Sequence, residues 1–261
     1  MTVRAVLLDF YGTLARATQW VSADDVLAEH GYTLAEASRS SWYQADLDGV
    51  EHVEHSQSRD HYRAWQRERI LGMLAQSDVH PGEHEVILEK LRGGTESRVL
   101  EAYPEVPAAL RSLRDRGLAL VVCSNWDWDL AEAVAEAGLT DLVDEIVSSA
   151  WAGARNPHPR IFRHTLEQVD VAPEACLFVG DTWGPDVEGP RAVGMRPVYL
   201  VREGHWPDPG APDDPHDSRY DGVTVATDLA GVLDVVTEVD TAGPGERQRD
   251  GRPRGTPRAS R

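Results

Sequence analysis

Lysine is almost missing from this chain of 261 residues: Lys90 is the only one, and arginine supplies the rest of the positive charge. Cysteine is nearly as scarce. Cys123 and Cys176 both lie inside apolar runs that read as buried strands, which excludes a disulfide framework and predicts reduced core thiols. No stretch of about 18 apolar residues occurs, so no membrane-spanning helix is expected. Met1-Thr2-Val3-Arg4 leads straight into a short apolar run, without the length or small-residue cleavage site of a secretory signal. Together these absences predict a cytoplasmic protein. Positive charge is short overall, with a formal net charge of −18. Residues 241–261 carry six arginines against Glu246 and Asp250, so the body holds −22. Such a body repels nucleic acid and anionic membranes, and neither is expected as a partner. A phosphorylated small molecule remains open, because a bound metal ion reverses the field locally.

What is present is an alternation. Residues 3–10 form a short apolar run ending in an acid, followed by Tyr11-Gly12-Thr13. This pattern suits a buried parallel strand with a sharp turn at its carboxyl end. Similar runs cover 118–123, 145–148, 176–180 and 196–201, with a weaker one at 222–226. Helical periodicity covers 106–116, 128–137, 160–169, 186–193 and 229–236. Strands alternating with helices predict an α/β fold, a doubly wound Rossmann-like parallel sheet with helices on both faces. Ligands of such sheets sit beyond the carboxyl ends of the strands. Residues 16–99 break the alternation: they are rich in Trp, Tyr, His and charge, with no convincing strand. That length is too great for a loop and predicts an inserted α-helical cap. The expected division is a core of residues 1–15 and 100–238, the cap, and a disordered Arg/Gly/Pro-rich tail over 239–261.

Four sequence motifs fall in order at strand ends. They are Asp9-Phe10-Tyr11-Gly12-Thr13-Leu14, then Ser124-Asn125, then Gly153-Ala154-Arg155-Asn156-Pro157, then Gly180-Asp181-Thr182-Trp183-Gly184-Pro185-Asp186. In this order they resemble the motifs of the haloacid-dehalogenase-like hydrolase superfamily, over roughly residues 3–205. The resemblance implies a nucleophilic carboxylate at Asp9, which attacks in line and forms an aspartyl intermediate. It also implies Mg²⁺ held by Asp9, the main-chain carbonyl of Tyr11, Asp181 and Asp186, all hard oxygen ligands. Ser124, Asn125 and the backbone around Gly12 and Thr13 would donate to the transferred group. The implied substrate is a small phosphorylated, or alternatively halogenated, organic molecule.

Two motif positions depart from the family. Its phosphatases place a second aspartate two residues after the nucleophile, where this chain has Tyr11. A phenol, with a pKa of about 10, donates a proton but is a poor base near neutrality. The family's haloacid dehalogenases carry a tyrosine there, because halide leaves without needing a proton. The family also places a lysine before the proline at 157, where this chain has Asn156. Arg155 and Arg160 flank that position and are candidates for the missing charge, although an arginine fork is no ammonium. Three readings follow: a Mg²⁺-dependent phosphatase favouring acidic leaving groups, a 2-haloacid dehalogenase-type hydrolase, and a non-catalytic binding protein on the same scaffold. Trp126 and Trp183 lie on active-site loops, where their rings are candidates to stack on an organic substrate, with packing beneath the cap as the alternative. In the cap, Trp20, Arg39, Trp42, Tyr43, His52, His55, His61 and Trp65 are candidates for the pocket wall, with packing the simpler role for most.

Overall fold

The computed structural model describes residues 2–241 apart from Tyr43, Ser97, residues 205–207, Pro209 and Pro215. Six parallel strands form the central sheet: β1 (Ala5–Leu8), β4 (Ala119–Ser124), β5 (Glu145–Ser148), β6 (Cys176–Gly180), β7 (Arg196–Leu200) and β8 (Thr224–Ala226), in the order β5-β4-β1-β6-β7-β8. The pleat sorts their side chains. Val6, Leu8, Leu120, Val122, Leu177 and Val179 pack on one face, while Ala5, Leu7, Val121, Cys123, Cys176 and Phe178 pack on the other. The first face is covered by α5 (Val106–Asp115), α6 (Leu130–Glu136) and α10 (Leu229–Thr241), through Leu110, Leu113, Val134 and Val232. The second is covered by α8 (Pro159–Val169), through Ile161 and Phe162, whose ring meets Phe178 edge-on. Strands buried on both faces explain the unbroken apolar runs in the sequence.

Three details differ from expectation. Residues 186–193 do not form one helix: a π-helical turn over Trp183–Glu188 precedes a short α9 (Gly189–Ala192). Pro185 and Pro190 lack the amide protons that a regular helix would use there. Two strands were missed, β2 (Ala15–Gln19) and β3 (Val99–Ala102), which pair antiparallel as a small second sheet. Their pairing is non-local, so neither strand's sequence announces it. Finally, α10 runs to Thr241, so residues 239–241 are helical rather than tail. The disorder expected of residues 242–261 lies outside the described residues.

Between β2 and β3 run α1 (Ala23–Glu29), α2 (Glu36–Trp42), α3 (Arg59–Gln76) and α4 (His84–Glu96). They enclose their own apolar cluster of Val26, Leu27, Met73, Leu74, Ile87 and Leu91. A capping box of Ser22 and Asp25 starts α1. This insertion is fastened to the core by backbone. Gly49 donates to the carbonyl of Asn156 at 3.1 Å, Arg155 to that of Val50 at 3.1 Å, and His52 to that of Gly153 at 2.7 Å. Asp48 adds side-chain bonds, accepting from Asn125 at 3.1 Å and from the buried Arg155 guanidinium at 3.4 Å. Asp127 of the core accepts from Gln44 at 3.1 Å, Gln66 at 2.9 Å and Tyr62 at 3.3 Å, all in the insertion.

Removing the Asp48 carboxylate strips the buried Arg155 of its charged partner. The expected result for Asp48→Ala is a loss of about 1.5–3 kcal/mol, the range for a hydrogen bond to a charged group. Asp48→Asn should lose less, and urea unfolding of both variants checks the ranking.

Candidate active site

The three central strands β4, β1 and β6 bring the acids together. Asp9 follows β1, Ser124 ends β4, and Asp181 follows β6 with Asp186 in the next turn. Each of Asp9, Asp181 and Asp186 is buried, and one carboxylate oxygen from each lies within 4.8 Å of the other two. Two glycines make the room. Gly12 has φ +85°, and a Cβ there would overlap the Asp181 carboxylate; a Cβ at Gly180 would overlap that of Asp186. Ser124 Oγ donates to Asp9 Oδ1 at 2.7 Å, and Thr13 Oγ1 donates to Asp181 Oδ1 at 3.3 Å. Asp186 accepts from the Thr182 amide at 2.9 Å, so it ties its own turn while facing the cluster.

The electrostatics follow from crowding. Burial, and then the charge of Asp181, pushes the Asp9 carboxyl up to about 7. Burial and the neighbouring acids also drive the Asp186 carboxyl well above its ordinary value. A hard divalent cation relieves such a cluster. Oxygens around Mg²⁺ at about 2.1 Å span about 4.2 Å, so a small drawing-in of these side chains completes a cradle. The donor set and the two glycine clearances fit such an ion.

The acids open into a cavity of about 960 Å³ between core and insertion. Tyr11, Trp126, Asn125, Arg155 and Asn156 border it from the core, and Trp20, Trp42, Tyr62, Arg63 and Arg92 from the insertion. Asn125 is a clamp: its side chain accepts from the Asn156 amide at 2.7 Å and donates to the Asn156 carbonyl at 3.0 Å. The Asn156 side chain is fully buried, and neither its nitrogen nor its oxygen has a hydrogen-bond partner among the described residues.

Several expectations need correction. Trp183 does not border the cavity; its ring is buried, edge-on to Tyr199 and Tyr220, with Nε1 donating to Glu188 at 3.0 Å. The Gly12 amide donates to the Ala15 carbonyl at 2.8 Å, so it is already spent. The guanidinium of Arg155 is turned to Asp48 and to Gln44 (3.0 Å), and that of Arg160 reaches the Ala152 carbonyl at 2.8 Å and Glu51. Lys90 pairs with Glu29 at 3.0 Å on the insertion surface. Arg39 pairs with Asp24 and Glu36, His61 is exposed, and Tyr43 lies outside the described residues. His52 and His55 pack around Trp65, His55 stacked at 4.6 Å and His52 buried, as a packing cluster rather than part of the pocket wall. Sequence reasoning missed Asp48, Asp127 and Arg202. Arg202 donates to the carbonyls of Gly12 at 3.1 Å and Thr13 at 2.6 Å, pairs with Glu105, and lies 3.7 Å over the Tyr103 ring. It thereby pins the turn after Asp9. Only the place of Asp127 on the loop after β4 offered a signal.

Comparison with known proteins identifies the family. A family model described as haloacid dehalogenase-like hydrolase matches residues 3–194. The first curated relatives are matched over about half their length or less. A phosphoserine phosphatase of Thermus thermophilus is 39% identical over 46% of this chain and 48% of its own. A phosphatase of Mycobacterium tuberculosis is 30% identical over 80% of this chain and 92% of its own. An (S)-2-haloacid dehalogenase of Burkholderia cepacia is 27% identical over 79% of this chain and 87% of its own. In fold, the chain is similar to a solved structure described as a predicted phosphoglycolate phosphatase from Haemophilus somnus. The TM-score is 0.64, with 17% identity, covering 90% of this chain and 98% of that one. Motif order, strand-end acids and matched relatives converge on one statement: this chain belongs to the haloacid dehalogenase-like hydrolase family.

Proposed function

We propose that the chain is a Mg²⁺-dependent phosphatase acting on a small organic phosphate through an aspartyl-phosphate at Asp9. The observation that carries this reading is the cluster of three buried carboxylates within 4.8 Å, which favours a divalent ion. Asp9, Asp181, Asp186 and the Tyr11 carbonyl would hold that ion. When bound, it neutralises charge on the transferred phosphoryl group and lets a carboxylate approach it.

The chain's own residues supply the rest. Ser124 fixes the rotamer of Asp9 through its 2.7 Å hydrogen bond. Arg202 holds the Gly12–Thr13 turn, so the nucleophile's loop does not recoil. The unpartnered carboxamide of Asn156 offers a neutral donor at the cavity wall. As Asp9 bonds to phosphorus, the ester oxygen departs, and hydrolysis of the acyl phosphate then restores Asp9. Tyr11, not an acid, stands two residues on, so an ester whose alcohol is already acidic is favoured. The insertion would act as the cap that excludes water from this step.

The second reading is hydrolysis at carbon, as in the haloacid dehalogenase relative. Tyr11 favours it, since a departing halide needs no proton, whereas Asn156, standing where the family resemblance expects a lysine, favours neither reading. Halide release from a 2-haloacid, undiminished by a chelator, would establish this reading in place of the first.

Across a panel of phosphate esters with Mg²⁺, kcat/KM should rise as the leaving alcohol becomes more acidic. Chelator, or Asp9→Asn, should lower it by about 10³-fold or more, as expected when nucleophile or metal is removed. Rates indifferent to leaving-group acidity would remove the role given to Tyr11.

Metal-free stability gives a separate check. Asp9 holds its proton more tightly folded, at about 7, than at its ordinary 3.8, so the stabilisation is complete below 3.8 and lost as pH rises through about 7. In chelator, Tm should therefore fall from pH 5 to pH 8, and fall less in Asp9→Asn. Mg²⁺ should raise the parent's Tm at pH 8 far more than at pH 5.

A further inference from the structure

The catalytic acids account for one end of the cavity only. Its volume, about 960 Å³, is at the top of the usual range for a small-molecule site, and a phosphoryl group fills little of it. Aromatic rings form part of the remaining wall, among charged and polar side chains. Tyr11 and Trp20 are 42% and 47% exposed, unusually bare for such large side chains, and both border the cavity. Tyr11 stands between Trp20, at 6.5 Å and 49°, and Trp126, at 6.2 Å and 36°. These rings are tilted, not stacked, so they do not use up their faces on one another. Trp126 is held edge-on to Phe10 at 5.3 Å, with the Arg98 guanidinium over its ring at 4.7 Å. The arginines of this wall are largely balanced: Arg69 pairs with Asp46, Arg92 with Glu89, and Arg98 with Asp129. The chamber thus sets aromatic faces beside charged groups several of which are paired with one another, and it begins two residues from the nucleophile.

We propose that the chamber walled by Tyr11, Trp20 and Trp126 binds an aromatic leaving group, so that the substrates are phosphate monoesters of phenol-like alcohols. This deepens the phosphatase reading and rests on it for the phosphate half alone. Shape and proton inventory point the same way. A phenol, with a pKa of about 10, departs far more readily than an aliphatic alcohol, which suits a site lacking the usual acid. In the step, the Asp9 oxygen bonds to phosphorus while the phosphorus–aryl-oxygen bond breaks. The electron pair leaves on the phenolate, which takes a proton from Tyr11 or water. Water then cleaves the acyl phosphate, releasing inorganic phosphate and restoring the Asp9 carboxylate, the phenol having left in the first step.

Two unreactive probes of matched size test the chamber apart from turnover: phenylphosphonate and cyclohexylphosphonate, titrated calorimetrically into the full chain with Mg²⁺. The aromatic probe should bind about tenfold more tightly, the upper range for one favourable ring contact. Trp20→Ala should abolish that preference, and Trp20→Phe should keep most of it, with unchanged circular dichroism as the folding control. Equal affinities in the parent, no binding of either probe, or a preference that survives Trp20→Ala would overturn the proposal. An intact aromatic preference in a protein that never hydrolyses phenyl phosphate would uphold the chamber and sink the chemistry assigned to Asp9.

Discussion

Repulsion among Asp9, Asp181 and Asp186 is the constraint around which this molecule is arranged. Three carboxylates buried within 4.8 Å would separate if their supports allowed it. They are held because they hang from β1 and β6, adjacent strands in one register, with Leu8 opposite Val179. Gly12 and Gly180 remove the side-chain bulk that would keep the acids apart. Ser124 and Thr13 each give one acid a hydrogen bond, and Arg202 clamps the loop from behind. Burial first, and then mutual repulsion, raises the Asp9 and Asp186 carboxyls, and together they make the site a receptor for positive charge.

The sheet and the acidic cluster were legible in the sequence for a physical reason. A strand buried on both faces must be apolar throughout, so an acid following one stands out, as Asp9 and Asp181 do. Where a side chain turns from a loop is not written in its position. Trp183 follows the same strand end as Asp181, yet the turn through Gly184 and Pro185 sends its ring into the core beside Tyr199. Partnerships across the chain were equally hidden. The Arg155 guanidinium pairs with a carboxylate 107 residues away, and Arg202 reaches back 190 residues to Gly12. The β2–β3 pair joins the two ends of the insertion, and neither segment alternates clearly enough to announce a strand.

The fastening of the insertion has a consequence for the site. The loop carrying Asn156 is gripped from the insertion by backbone bonds at Gly49, Val50 and His52, and from the core by Asn125. Asp48 touches both grips, since it accepts from Asn125 and Arg155. Movement of the insertion on this side therefore cannot leave the cavity wall unchanged. On the opposite side the chain enters and leaves through the β2–β3 pair, a two-stranded ribbon with a register irregularity after Ala17. Trp20 of the aromatic wall directly follows this ribbon.

Charge counting ranks the two chemistries. A divalent ion cancels two of the three carboxylate charges, and a phosphate ester dianion then adds two more. Unit charges about 4 Å apart interact by about 4 kcal/mol at an effective dielectric of 20, so each uncompensated charge matters. Asn156 brings none where the family resemblance expects an ammonium. A loose phosphoryl-transfer transition state sends negative charge outward onto the leaving oxygen, away from the acids. An acidic leaving group carries that charge best and needs no proton from the position Tyr11 occupies. The two departures from the family pattern thus press in one direction on a phosphate ester. Attack at carbon would tolerate Tyr11 as well, but it gains nothing from Asn156. It would leave the mutual repulsion of Asp9, Asp181 and Asp186 unrelieved and without use, and a site that maintains such repulsion at the tips of its central strands is better explained by the ion that relieves it.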